Sequence, residues 1–247
     1  MPPIIHTAES PEYLAGDFAN QLIEWVNNSA GESFHLALSG GRTPSLLFTL
    51  LAEKYTHDIP WHKIHFWWGD ERMVSPGDPE SNFGVADNLL FSKIDIEPGR
   101  IHRIQGESNP QKEVGRYATE IDSQIPMLSG LPNFDLIILG LGDDGHTASI
   151  FPDRMELLDS ETTTALVSHP ETGQLRITLT GRVLNNAKKV AFLASGDSKS
   201  EIYNMIIKNA PKASDFPASH IHPKGELHWF IDQACLGRKQ ELESDNL

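Results

Sequence analysis

The sequence predicts an α/β fold: a mostly parallel, doubly wound sheet flanked by helices. Two observations predict it. Short apolar runs alternate with amphipathic helical patterns across short connections, the order of a parallel sheet wrapped by its own helices. The run 134–139 is also nearly all apolar, as a strand buried on both faces should be.

Taken in order, Ser10 followed by Tyr13, Leu14, Phe18, Leu22, Ile23, Trp25 and Val26 reads as an amphipathic helix. Ser10 is its cap and Pro11 its first residue. Residues 34–38 form a short strand, and 43–54 a helix with Pro44 near its start. Residues 64–68 are a strand and 81–91 a helix. A weak strand at 101–104 precedes a helix over 110–125 and the apolar strand 134–139. The stretch 175–180 alternates and reads as a strand. Residues 189–194 are a strand, 198–208 a helix, and 227–231 the last strand. No internal repeat and no Gly/Ser/Pro linker divides the chain, so one domain over 1–247 is expected. Its polar, acidic tail from 237 onward is expected to fray.

Composition excludes several classes of function. The chain has 247 residues, 20 Lys plus Arg, 34 Asp plus Glu, and a net charge of −14. A binder of the nucleic-acid backbone needs a basic face, so no nucleic-acid partner is expected. A small anionic ligand held by a few local cations stays compatible with this balance. One cysteine, Cys235, cannot form an internal disulfide, which points to a reducing, cytoplasmic setting. No run of about 18 apolar residues exists, and the N-terminus lacks a basic, signal-like start. Neither membrane nor secretion is expected.

In a sheet of this kind ligands bind beyond the carboxyl ends of the strands. After the first strand comes Ser39-Gly40-Gly41-Arg42-Thr43, then a helix. Two glycines free the backbone N–H groups, and the helix dipole and hydroxyls add to them, so the loop can cradle a phosphate. The bland alternative is an ordinary turn capped by Thr43. After 64–68 comes Gly69-Asp70-Glu71-Arg72. Charges at the end of so apolar a strand are costly to bury unless paired. Asp70 or Glu71 could carry a proton or orient Arg72, and Arg72 could grip an anionic group in a fork. Ser81 is a fair helix cap, and Asn82 is either a first-turn residue or a ligand contact.

The segment Gly140-Leu141-Gly142-Asp143-Asp144-Gly145-His146-Thr147-Ala148-Ser149 is the most informative. Asp144 stands two residues from His146, near enough to orient its imidazole, and a histidine so held can take a proton from water. Ser149 reads as an ordinary helix residue. Arg176 and Lys199 could place positive charge over a phosphate. His220 and His222 could form a metal pair, but no third ligand lies nearby in sequence, so no metal is expected. Trp67, Trp68 and Trp229 are core candidates. These residues add up to an enzyme acting on a small phosphorylated metabolite through water or an internal proton transfer.

SGGRTP, GDER followed by SN, GLGDDGHTASIFP, RITLT followed by LN, and AFLASGDSK occur in this order. The set resembles the 6-phosphogluconolactonase family, part of the wider glucosamine-6-phosphate isomerase/6-phosphogluconolactonase group. The resemblance covers about residues 10–235. It implies a modified Rossmann-like fold and hydrolysis of 6-phospho-D-glucono-1,5-lactone, with no metal or organic cofactor. It implies His146 as the base that activates water, Asp144 as its orienting partner, and Arg72 beside the developing oxyanion. The 6-phosphate would be held by Ser39, Gly40, Gly41, Arg42, Thr43, Arg176 and Lys199, with Asp70 and Asn82 completing the substrate site. Arg42 and Asp143 depart from the family's usual residues. A monomer or weak homo-oligomer is expected. The alternatives are a glucosamine-6-phosphate deaminase, with Asp70 as base, and a non-catalytic sugar-phosphate sensor.

Overall fold

The computed structural model describes residues 2–237. The predicted frayed tail therefore lies, apart from Gly237, outside the described residues. The elements run β1 (Ile4–Ala8), α1 (Pro11–Asn27), β2 (Phe34–Leu38), α2 (Arg42–Lys54), β3 (Ile64–Trp68), β4 (Asp70–Arg72) and α3 (Asn82–Leu89). They continue through α4 (Pro110–Gln124), β5 (Met127–Leu128), β6 (Leu131–Pro132), β7 (Leu136–Leu139), β8 (Thr164–Ser168) and β9 (Leu175–Leu179). Last come α5 (Gly181–Leu184), β10 (Lys189–Ala194), α6 (Ser200–Ile207) and β11 (Glu226–Asp232).

Six strands form one parallel sheet in the order β1-β11-β10-β7-β2-β3. All of β2 and β7 is buried, as their apolar runs require, and helices flank the sheet. From β2 the chain moves to β3 at one edge. It then returns to β7 on the other side of β2 and continues to β10 and β11. The loops leaving β2 and β7 therefore part company and open a crevice at the carboxyl ends, the usual ligand position in a doubly wound sheet.

A smaller antiparallel sheet, β4-β9-β8, stands at that end. Gly69 stitches the two sheets together. Its N–H donates to the Leu38 carbonyl at 2.8 Å, and its own carbonyl accepts from Leu179 N–H at 2.8 Å. The stretch 175–180 is thus a strand as predicted, but it belongs to this second sheet rather than to the parallel one. The far edge, β3, is closed by α4. The Tyr117 hydroxyl donates to the Trp68 carbonyl and accepts from the Trp68 N–H.

Other expectations need correction. β1 is a strand that the pattern did not reveal. The weak strand at 101–104 reduces to one bridge between Ile101 and Phe66. The helix expected over 198–208 begins as a 3-10 turn, Asp197–Lys199, before α6. Ser10 precedes α1 as predicted, but its hydroxyl donates to Glu12 Oε2 at 2.6 Å and leaves the helix N–H groups uncapped. Trp67, Trp68 and Trp229 are core residues, each at most 1% exposed.

Candidate active site

The loop after β2 is shaped by two glycines. Gly41 has φ +110°, a conformation that L side chains rarely adopt. Gly40 lies against Asn82: a Cβ built on it would come within 1.9 Å of Asn82 Oδ1. Asn82 Nδ2 in turn donates to the Asp70 carbonyl at 2.9 Å. The first residue of α3 thereby ties the loop to β4.

The three charges of Gly69-Asp70-Glu71-Arg72 have separate fates. Glu71 is 1% exposed and accepts from the backbone N–H groups of Arg72, Asn82 and Phe83, at 2.7, 2.8 and 2.7 Å, and from the Ser81 hydroxyl at 3.1 Å. Burial pushes its pKa up, and those N–H groups work to hold it down. It anchors the start of α3, does not pair with the Arg72 guanidinium, and does not line the cavity described below. Ser81 is the cap expected of it, accepting from Gly84 N–H at 3.0 Å. Asp70 faces Thr178 across the β4–β9 ladder. Its Oδ2 accepts the Ser149 hydroxyl at 2.6 Å, while Ser149 N–H donates to Thr178 Oγ1 at 3.1 Å. Ser149 is fully buried, and its place beneath Asp70 was not foreseen.

Arg72 and Arg176 stand directly opposite each other in the same ladder. Like charges so placed repel. Arg72 donates one NH1 bond to the Glu80 carbonyl at 2.6 Å, and the Arg176 guanidinium lies 5.6 Å from the centre of the Phe151 ring. The Nε groups of both arginines are buried without a partner. Burial pulls the Arg176 pKa down, and nearby Asp70 works to raise it. Two guanidinium groups facing one cavity, each with a buried Nε donor free of protein partners, suit an anionic group.

The loop after β7 carries the histidine. His146 Nδ1 lies 2.6 Å from Asp144 Oδ1, which also accepts the His146 backbone N–H at 3.0 Å. Burial works to raise the Asp144 pKa, but the His146 ring and N–H outweigh it and hold the carboxyl down near 2. An ionised carboxylate fixes the proton on Nδ1 and leaves the lone pair on Nε2. Gly142 makes this pair possible. A Cβ there would lie 2.1 Å from His146 Nδ1 and 2.7 Å from Asp144 Oδ1. Ala148, two residues after His146, holds φ +48° in the tight turn that delivers Ser149 to Asp70.

Of the predicted residues, Ser39, Gly40, Gly41, Asp70, Arg72, Asn82, His146, Arg176 and Lys199 line one cavity of about 250 Å³. Gly140, Leu141, Gly142, Asp143 and Ala148 complete its wall. Asp144 stands behind the histidine. Arg42 and Thr43 are not part of this cavity. They line an adjoining one of about 280 Å³, where Thr43 Oγ1 meets Ser195 Oγ at 2.7 Å, and Arg42 is exposed. The two recesses share Gly40, Gly41, Gly140, Leu141 and Lys199, and α2 begins at Arg42. Thr43 accordingly does not cap the helix; Gly41 holds that position without a side-chain bond. His220 Nε2 donates to the Ser214 carbonyl at 2.8 Å. Among the described residues, no group of three or more His, Cys, Asp or Glu is arranged to hold a metal ion. Nor is any helix among them long and apolar enough to cross a membrane.

Comparison with known proteins agrees with this geometry. Residues 9–229 match the family model described as glucosamine-6-phosphate isomerases/6-phosphogluconolactonase. A 6-phosphogluconolactonase of Haemophilus influenzae is 44% identical over 204 residues, 82% of this chain and 86% of that protein. One from Treponema pallidum is 39% identical over 183 residues, 74% of this chain and 76% of that protein. Among solved structures, 6-phosphogluconolactonase from Thermotoga maritima superposes with a TM-score of 0.80 at 30% identity, covering 93% of this chain and 99% of that one.

Proposed function

The chain belongs to the glucosamine-6-phosphate isomerases/6-phosphogluconolactonase family, and from that premise we propose that it hydrolyses 6-phospho-D-glucono-1,5-lactone to 6-phosphogluconate. The observation that carries the reading is His146, held by Asp144, lining the same cavity as two arginines with unpartnered Nε donors. A δ-lactone is already activated, so a positioned water, a base and an oxyanion partner suffice, without a covalent nucleophile.

Asp144 holds Nδ1–H of His146, and Nε2 takes a proton from water as the water oxygen attacks the lactone carbonyl. Arg72 stands beside the negative charge that develops on the carbonyl oxygen. The bond from that carbon to the ring oxygen then breaks. The imidazolium returns its proton to the departing oxygen, which becomes a hydroxyl, and the carboxylic acid that remains ionises by releasing the second water proton to solvent. The Ser39-Gly40-Gly41 loop, Arg176 and Lys199 hold the phosphate, far from the reacting carbon, where its binding energy fixes orientation. Asn82 keeps that loop against β4, and Asp70 balances the arginines. Arg42 and Thr43 line the adjoining recess, which shares Gly40, Gly41 and Lys199 with the main cavity, and so border the phosphate end.

The same reading has the protein acting in the cytoplasm as one domain, monomeric or weakly self-associating, on a small molecule rather than on nucleic acid or a membrane. Its lone cysteine, its charge of −14 and one buried apolar cluster spanning both sheets support this. The test is to generate the lactone in situ and follow its loss above the spontaneous rate. Acceleration by the protein, with no ammonia released from glucosamine 6-phosphate, is the expected result. No acceleration would overturn the reading.

A further inference from the structure

Three cations line the cavity, and one differs from the other two. Arg72 donates to a backbone carbonyl, and Arg176 rests against an aromatic face. Lys199 alone meets a carboxylate: its Nζ lies 2.5 Å from Asp143 Oδ1. The two partners are unequally placed. The Lys199 side chain is 18% exposed and that of Asp143 is 72% exposed. The hydrogen bond from Lys199 is the first cause that holds the Asp143 carboxyl below the usual carboxylate range. Asp143 sits at the tip of a turn closed by Gly145 N–H to the Gly142 carbonyl at 3.1 Å. Its side chain can therefore swing into solvent without moving the backbone that carries His146.

We infer that Asp143 is a built-in competitor for the substrate phosphate: it occupies Lys199 in the free protein, yields it on binding, and reclaims it as product leaves. The inference rests on the proposed reading, in which Lys199 receives the phosphate. An ion pair at a wet rim contributes little stability. A phosphate monoester carries about two charges and three acceptor oxygens near neutral pH, so it is the stronger partner for one ammonium. The exchange costs affinity twice, because the pair must open and because the displaced carboxylate stays near the dianion. It also serves turnover. Hydrolysis adds a carboxylate to the ligand, and a resident anion competing for Lys199 favours departure of the more highly charged product. Arg72 and Arg176 have carboxylates such as Asp70 nearby but none hydrogen-bonded to their guanidinium groups, so they supply the standing attraction while Lys199 supplies the exchangeable one.

Inorganic phosphate is the probe, because its binding does not depend on lactone chemistry. Titration calorimetry would compare the wild type, Asp143→Asn, Asp143→Glu, Lys199→Met and the double variant Asp143→Asn/Lys199→Met. The expected result is phosphate binding about threefold to tenfold tighter in Asp143→Asn, near wild type in Asp143→Glu, and no gain from Asp143→Asn in the Lys199→Met background. With the lactone as substrate, the Asp143→Asn effect should fall on KM rather than on kcat. Equal or weaker phosphate binding by Asp143→Asn would overturn the inference and make Asp143 a holder that positions Lys199. A gain that persists without Lys199 would overturn it as well, leaving only a general charge effect. If the wild type hydrolyses lactone while Asp143→Asn fails to tighten phosphate, this inference alone falls. If the wild type does not hydrolyse lactone, the proposed function falls first.

Discussion

The two ends of the parallel sheet are both polar, yet they treat their polar groups in opposite ways. At the amino ends, Arg100 NH1 approaches His65 Nε2 at 3.1 Å, His65 Nδ1 meets His102 Nε2 at 3.0 Å, and His102 Nδ1 meets Glu120 Oε1 at 2.8 Å. Arg116 closes the chain on Glu120. Because Arg100 only donates, His65 Nε2 accepts from it, and the relay runs on through Nδ1–H of His65 and Nδ1–H of His102 to Glu120. Beside it, Trp67 Nε1 donates to His35 Nδ1 at 3.2 Å, and Asp135 accepts His35 N–H at 2.8 Å and Lys188 Nζ at 2.7 Å. At the carboxyl ends, Nε of Arg72 and Nε of Arg176 are, among the described residues, buried side-chain nitrogens without partners that belong to cavity-lining side chains. One end has spent its hydrogen-bonding capacity on itself, and the two arginines of the other each keep a donor unspent. Polarity alone does not mark a binding end; unspent capacity does.

The sharpest way to break this contrast is at the histidine of the open end. His146→Ala should lower kcat about 10²- to 10⁴-fold with the fold intact, the usual worth of a positioned base. A loss below tenfold, measured by lactone hydrolysis beside circular dichroism, would remove His146 as the base. Gly142→Ala comes next. Its Cβ would push on both His146 and Asp144, and a displacement near 1 Å costs about 10²-fold. Combined with His146→Ala it should cost nothing more, since both act through one ring. An additive double variant would show that Gly142 matters for another reason.

Arg176→Met separates the two ends most directly. Losing a charged hydrogen-bonding group should raise KM about tenfold to a hundredfold. The free protein should not unfold at lower urea, because the guanidinium Nε had no partner to lose. A marked drop in the urea midpoint would mean that the open end is as self-satisfied as the other.

The closed end should answer to pH. Burial, and then the neighbouring His65, lowers the His35 pKa from 6.5 to about 4. Between those values the unfolded chain binds a proton that the folded protein refuses, so stability falls as pH drops through that window. For His35 alone the loss between pH 7 and pH 5 is about 2 kcal/mol. His65, His6 and His228, all lowered first by burial, add loss of the same sign. Urea midpoints at pH 7 and pH 5 should differ accordingly, and His35→Asn should flatten the difference. An unchanged slope in that variant would free His35 of this role.

How far the sequence carried the reading depends on the range of each interaction. β2, β3 and β10 stand at the residues predicted, because a buried parallel strand is a local run of apolar side chains. β1 escaped notice because its pairing partner lies at the other end of the chain, and β4 because three residues are too few for a period. The Asp144–His146 pair was legible from a spacing of two. Ser149 was not, since its value lies in reaching Asp70, 79 residues away in the chain. Glu71 read as a possible proton carrier for the same reason: only the folded chain brings the N–H groups of α3 onto it. Arg42 and Thr43 were placed correctly on the loop; in the fold they line the recess that adjoins the main cavity and shares Gly40, Gly41 and Lys199 with it, a finer division than sequence proximity can give.

The pairing of β1 with β11 carries a consequence for biosynthesis. Ile4 stands beside His228 in the finished sheet, a separation of 224 residues. At about 5–20 residues per second, a ribosome needs roughly 10–45 s to make the strand on which β1 lies. Through that interval the nascent amino-terminal strand, with Ile4 and Ile5 on it, has no native partner. The sheet can then grow from β2 and β3 through β7 to β10 as each emerges, while its first-made strand is the last to be docked.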